Sequence, residues 1–173
     1  MFSSEALKAV YADALPVFRR YMSTLRELNV MFMSAWRNGT LDQEWAEFQA
    51  SNPGYYLVYF VRARGMGDIK IGKSNHVGTR VKSLWTGASR ALDLVACYPS
   101  DITHEIELHR EFEHLRLCGE WFRPGDELLT HLELVGCDIR AFSNAVPAHF
   151  YRRFPERLLM NDVSATHKMN SEG

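Results

Sequence analysis

Basic and acidic side chains segregate along the middle of the chain. Residues 62–90 hold seven basic side chains (Arg62, Arg64, Lys70, Lys73, Arg80, Lys82 and Arg90) against Asp68 alone, whereas residues 100–135 hold nine acidic ones against three arginines. A basic half facing an acidic half is what an enzyme acting on phosphodiesters with a carboxylate-held cation needs. The alternative is a solvated surface whose charges happen to separate. A helix bearing His104-Glu105-Ile106-Glu107-Leu108-His109 resembles a zinc-protease helix only superficially. Its histidines are five apart and diverge by about 140° around the axis, too far to share a zinc ion. No Ser-His-Asp set, phosphate-cradling loop or nucleotide-fold fingerprint is evident. Cys97, Cys118 and Cys137 are odd in number and form no CxxC pair. A disulfide framework and a Cys-rich zinc site are therefore not expected, and a reducing cytoplasm is the default compartment.

More specific is an ordered set of short motifs: Leu57-Val58-Tyr59, then Lys70-Ile71-Gly72, then Gly72-x-Ser74-x5-Arg80 and Thr86-Gly87. Glu105-Ile106-Glu107-Leu108-His109 and Gly119-Glu120-Trp121-Phe122 follow. Together these resemble the GIY-YIG nuclease superfamily, most closely its phage-T5-type branch, over about residues 55–125. The resemblance implies hydrolysis of phosphodiester bonds in DNA with one divalent cation, usually Mg2+ (or Mn2+), and in-line attack by a metal-activated water.

By the same resemblance Tyr59 is the family's first tyrosine, either general base or the group that orients the water. A phenol with a pKa of about 10 is a poor base at neutral pH without a nearby cation. Lys70 stands where the superfamily has its second tyrosine. It would lower the pKa of Tyr59 or hold a phosphate oxygen, unless it is a solvated lysine on a sheet face. Arg80 matches the family arginine, whose planar guanidinium suits a phosphate. Glu105 matches the glutamate that holds the metal, and one carboxylate can suffice because magnesium keeps several waters. Lys73 and His76 are peripheral candidates for binding the backbone. His109 would hydrogen-bond Glu105, contact substrate or simply pack. Glu120 would support the cation or Arg80 from behind, or serve the fold.

These residues need elements to position them. Tyr55 to Arg62, rich in aromatic and β-branched residues, reads as a strand; Gly65-Met66-Gly67-Asp68 as a hairpin turn; and Ile69 to Gly72 as a second strand. Val77, Val81, Leu84 and Trp85 share one face of a helix that Asn75 or Ser74 can cap and Gly87 ends. Leu92, Leu94, Ala96 and Tyr98 alternate as a third strand. Ser100 or Asp101 caps a helix to about Leu115, with Ile106, Leu108, Phe112 and Leu115 available for the core. Pro124-Gly125-Asp126 opens another. The class is α+β: a small three-stranded antiparallel sheet flanked by helices, with an N-terminal helical extension (1–52), the nuclease-like region (53–135) and a helical C-terminal segment with a frayed tail (136–173).

In the extension, residues 4–37 read as helix broken at Pro16, with a stripe of Phe18, Tyr21, Met22, Leu25, Leu28 and Met31. Thr40 and Gln43 form a capping box for a short helix. Met22, Met31, Phe32, Met33 and Trp36 either pack on the chain's own sheet or dock a partner, a homodimer included. Arg140, Arg152, Arg153 and Arg157 with Phe142, Phe150 and Phe154 are either a DNA-contacting region or ordinary packing. The whole chain of 173 residues has a net charge of -1, 46% hydrophobic and 24% charged residues. Those values exclude a disordered or collagen-like chain, and exclude nucleic-acid binding through bulk charge alone. No run approaches the roughly 20 apolar residues of a membrane span. The opening MFSSEALKAVYADALP, with Glu5 and Asp13, does not read as a signal peptide. A non-catalytic module binding DNA or protein on the same fold is the competing expectation.

Overall fold

An unbroken apolar run of strand length suits a strand covered on both faces, and the segment from Tyr56 is such a run. In the computed structural model it is the centre of the molecule. Residues 4–64, 67–88 and 91–139 are described, over 4–19 the backbone only. The expected C-terminal cluster of Arg140, Arg152, Arg153 and Arg157 with Phe142, Phe150 and Phe154 lies outside these residues, as does Arg90. Helices α1 (Ser4–Asn38) and α2 (Leu41–Ser51) precede strands β1 (Tyr56–Ala63) and β2 (Ile69–Ser74). Helix α3 (Val77–Gly87), strand β3 (Leu92–Ser100) and helix α4 (His104–Glu111) follow. Then come a 3-10 turn (Glu113–Leu115), strands β4 (Arg116–Cys118) and β5 (Trp121–Phe122), and helix α5 (Asp126–Leu134).

The sheet is antiparallel and has five strands in the order β3-β1-β2-β5-β4, not three. The added pair is a small hairpin from the Gly-Glu-Trp-Phe segment, turning at Gly119 with φ 53° and joining β2 at Ile69 and Lys70. A two-residue strand is too short to show alternation, so this hairpin left no periodic signal.

Each face of the sheet has its own core. Val58, Phe60, Ile69, Ile71, Ala96 and Tyr98 pack under Met22 and Leu25 of α1, Leu108 of α4, and Leu128, Leu129 and Leu132 of α5. Leu57, Tyr59, Val61, Leu94 and Cys97 pack under Phe32, Ala35, Leu41, Trp45, Val77 and Val81. Leu94 and Cys97 share a face despite their odd spacing because the β1–β3 register shifts between Phe60 and Val61.

Helix α1 packs along β3 and contributes to both cores. At its middle lies Asn29, 2% exposed. The Cys97 amide donates to its Oδ1 at 2.8 Å, and its Nδ2 donates to the Val135 carbonyl at 2.8 Å. Arg26 donates to the Glu133 carbonyl at 3.2 Å, so α1 caps the C-terminal end of α5. The buried stripe runs Met22, Leu25, Asn29, Phe32 and Ala35, while Tyr21 and Met31 are exposed. Of the residues considered for docking a partner, Met22 and Phe32 are thus buried in the chain's own core.

Other local expectations are corrected. Helix α1 passes through Pro16 unbroken, although an interior proline removes one hydrogen bond and its ring crowds the preceding turn; the helix formers Ala12, Ala14 and Leu15 offset part of that cost. Thr40 precedes α2, but its hydroxyl donates to Glu44 Oε1 at 2.6 Å, and Gln43 donates to Glu47. The residue at the cap of the next helix is Thr103, and Asp101, two residues before it, accepts from the Thr103 and His104 amides at 2.8 and 3.0 Å. That helix, α4, stops at Glu111, and Ile106 lies on its outer side, 52% exposed. Trp85 is half exposed, its indole N–H donating to the Leu92 carbonyl at 2.7 Å. Among the described residues no helix is long and apolar enough to cross a membrane.

Candidate active site

Several of the side chains singled out above lie on or beside strand β2. Strand β2 pairs with β1 from Ile69 to Ser74 but with β5 only at Ile69 and Lys70. The Ile71 amide then donates to the Glu120 carbonyl at 3.0 Å. Beyond that point, among the described residues, no strand covers the outer edge of Gly72, Lys73 and Ser74.

Tyr59 sits opposite Gly72 on β1 and is 2% exposed. Its phenol lies over the Gly72 backbone: a Cβ at position 72 would stand 2.6 Å from both the hydroxyl and the ring carbon that bears it. Glycine at this point is a matter of space, since any side chain would collide with the ring. Arg80 acts on the phenol as a polar, positively charged neighbour, and Glu120 and Glu105 act on it as negative charges. Burial raises its pKa above the usual tyrosine value, Arg80 opposes that rise, and the two carboxylates add to it. The balance is upward, in favour of the protonated phenol.

Lys70 follows the same face of β2, two residues before Gly72. Its side chain is 7% exposed and paired with the Glu120 carboxylate, so it is a buried ion-paired lysine and not a solvated one. Glu120 therefore has Lys70 as its ion-pair partner. Arg116 braces the hairpin that presents it, bonding the Gly119 carbonyl, Glu113 and the His109 carbonyl, with its guanidinium 4.8 Å from the Phe122 ring centre.

Arg80 is exposed in the first turn of α3. That turn is held by a residue the motif analysis missed. Asp42 of α2 accepts from the Gly78 amide at 2.7 Å, the Thr79 amide at 2.9 Å and the Thr79 hydroxyl at 2.7 Å. A carboxylate at a helix N-terminus satisfies free N–H groups and complements the helix dipole. Neither Asn75 nor Ser74 caps these amides; Ser74 Oγ instead accepts from the His76 amide at 2.9 Å. His76 is the exposed residue preceding the helix.

Glu105 and His109 reach the same edge of β2 from α4, on the other face. The His109 Nε2–H donates to the Ile71 carbonyl at 2.9 Å, and its ring packs edge-on against Phe122. At 3.8 Å from Glu105 it is beyond hydrogen-bond reach of that carboxylate, and it acts as a strut between α4 and β2. The Glu105 side chain is 12% exposed, and its Oε2 lies 3.3 Å from Lys73 Nζ, which also donates to the Ile102 carbonyl at 2.9 Å.

Not every expected charge gathers here. Arg62 and Arg64 are bound to Asp93 towards the opposite end of β1 from Tyr56, at 3.1 and 2.7 Å. The basic half of the sequence thus contributes Lys70, Lys73 and Arg80 to the site. Among the described residues no three His, Cys, Asp or Glu side chains form a metal-binding group. A cation at this edge would have Glu105 as its protein ligand. The Glu105 carboxylate is a hard oxygen donor of the kind a divalent cation takes, and in this structure it is paired with the Lys73 ammonium at 3.3 Å. Comparisons with protein-family models, with curated proteins and with solved structures found no match to this chain.

Proposed function

We propose that the chain is a divalent-cation-dependent endonuclease of GIY-YIG type that hydrolyses phosphodiester bonds in DNA. The observation that carries this reading is the packing of the Tyr59 phenol against Gly72 of the Lys-Ile-Gly motif, with Arg80, Glu105 and Glu120 near enough to act on it electrostatically. Tyr59, Arg80, Glu105 and Glu120 come from β1, α3, α4 and the β4–β5 turn. The ordered motifs from Leu57 to Phe122 support the same reading by resemblance.

A divalent ion, Mg2+ or Mn2+, held by Glu105 would supply Lewis-acid polarisation of the phosphate and a water of lowered pKa. The chain's own groups do the rest. Arg80 offers a planar pair of donors to the phosphate and stabilises the charge that develops on it. The protonated Tyr59 phenol donates a hydrogen bond towards a phosphate oxygen or the attacking water, which makes it an orienting group, not a base. Lys70, paired with Glu120, lies on the same face of β2 as Gly72 and offers an ammonium that a phosphate oxygen can share. His76 and Lys73 border the edge where the flanking backbone would run. With all three cysteines free, the compartment we propose is a reducing cytoplasm.

A second reading, a DNA-binding or protein-interaction module on the same fold, is favoured by one observation. Tyr59 is held protonated and Lys70 is committed to Glu120, so neither is a ready base. The two readings part on supercoiled plasmid and short duplexes with Mg2+, Mn2+ or EDTA. The nuclease reading expects metal-dependent nicking by the wild type and none by Glu105→Ala, with folding and most DNA binding kept. Salt-sensitive binding without nicking by either protein would establish the module instead.

A further inference from the structure

Lys73 lies two residues beyond Ile71, on the β2 face that looks towards α4. Its ammonium is only partly exposed, 3.3 Å from Glu105 Oε2 and 2.9 Å from the Ile102 carbonyl. Both acceptors are the kind of hard oxygen that a divalent cation takes. Lys73 and a metal ion would therefore compete for the same carboxylate, and their mutual repulsion is weakly screened where both side chains are largely buried.

We infer that Lys73 is an internal counter-ion that occupies the cation's side of Glu105 until a phosphate draws it away. The inference rests on the proposed nuclease reading and adds a regulation to it. A lysine ammonium is a compact charge on a flexible four-carbon stem with rotatable donors. It can leave Glu105 for a phosphate at the uncovered edge of β2 without any movement of the strand. Phosphate binding then frees the carboxylate for the metal, and the metal, by repelling Lys73, favours the phosphate. The two ligands are coupled reciprocally, and the free protein is protected from loading a cation without substrate.

The test measures Mn2+ binding to the full-length protein by electron paramagnetic resonance, without any turnover. Lys73→Met is expected to bind Mn2+ about tenfold more tightly than the wild type, because a like charge has left the ligand. Lys73→Arg keeps the charge and should stay near the wild-type value, which separates electrostatics from packing. In EDTA, Lys73→Met should also bind a short duplex more weakly. Glu105→Gln should lose Mn2+ binding. Equal or weaker Mn2+ binding by Lys73→Met, with binding still lost in Glu105→Gln, overturns the counter-ion role and leaves the nuclease reading standing. Undiminished Mn2+ binding by Glu105→Gln removes Glu105 as the ligand and takes both down.

Discussion

Gly72 is the smallest residue at the proposed site and one of the most constrained. The Tyr59 phenol occupies the space its side chain would take, with the ring carbon that bears the hydroxyl as close as the hydroxyl itself, so a methyl group cannot be accommodated by rotating a flexible tip. Gly72→Ala should cost about 1–3 kcal/mol through overpacking, read as a lowered midpoint in thermal or urea unfolding. It should also displace the Tyr59 phenol, so nicking should fall further than stability alone explains. An alanine variant as stable and as active as the wild type would mean that the ring lies elsewhere. Residue identities in the Lys-Ile-Gly motif were legible because each motif is local. The upward shift of Tyr59 was not legible. It depends on burial beneath α3 and on carboxylates 46 and 61 residues further along the chain, distances over which no periodicity speaks.

At the scale of elements, the helix that carries Arg80 is anchored from outside the nuclease-like region. Asp42 belongs to α2, and it satisfies the Gly78 and Thr79 amides directly before Arg80. Asp42→Ala leaves those donors without their cap and should destabilise the protein by about 1–2 kcal/mol. Asp42→Asn, which keeps an acceptor oxygen, should lose less. Equal unfolding midpoints for the alanine variant and the wild type would refute the cap. Strands β1 to β3 and helix α3 could be read from alternation and three- to four-residue spacing, because burial on a strand or helix face imposes those periods. The β4–β5 hairpin escaped that logic by its length. Asn29 escaped because a polar residue interrupts an apolar stripe, and its burial makes sense only once Cys97 and Val135 supply its partners.

For the whole molecule, acid is the revealing variable. On the face of the sheet covered by α4 and α5, the Tyr98 hydroxyl lies 3.1 Å from His104 Nε2 and 2.9 Å from His131 Nε2. His131 packs against the Phe60 and Phe112 rings. Burial first, and then the nearby His104, lower the pKa of His131 from 6.5 to about 4. Below pH 6.5 the unfolded chain takes up a proton that the folded chain refuses until about pH 4, so stability is lost as the pH falls through that window. The full effect is about 3 kcal/mol. Urea unfolding at a series of pH values should show this slope, and His131→Gln should flatten it; an unchanged slope in the variant would assign the acid sensitivity to other groups.

Helix α1 has a consequence that reaches beyond packing. Strand β3 ends the sheet on its side, and the Cys97 amide is bonded to Asn29. An outermost strand with free backbone donors is a template on which another chain can add a strand of its own. By lying along β3, α1 turns a sticky border into a closed one. Partial release of the N-terminal helix would therefore show itself first as self-association, well before the sheet itself comes apart.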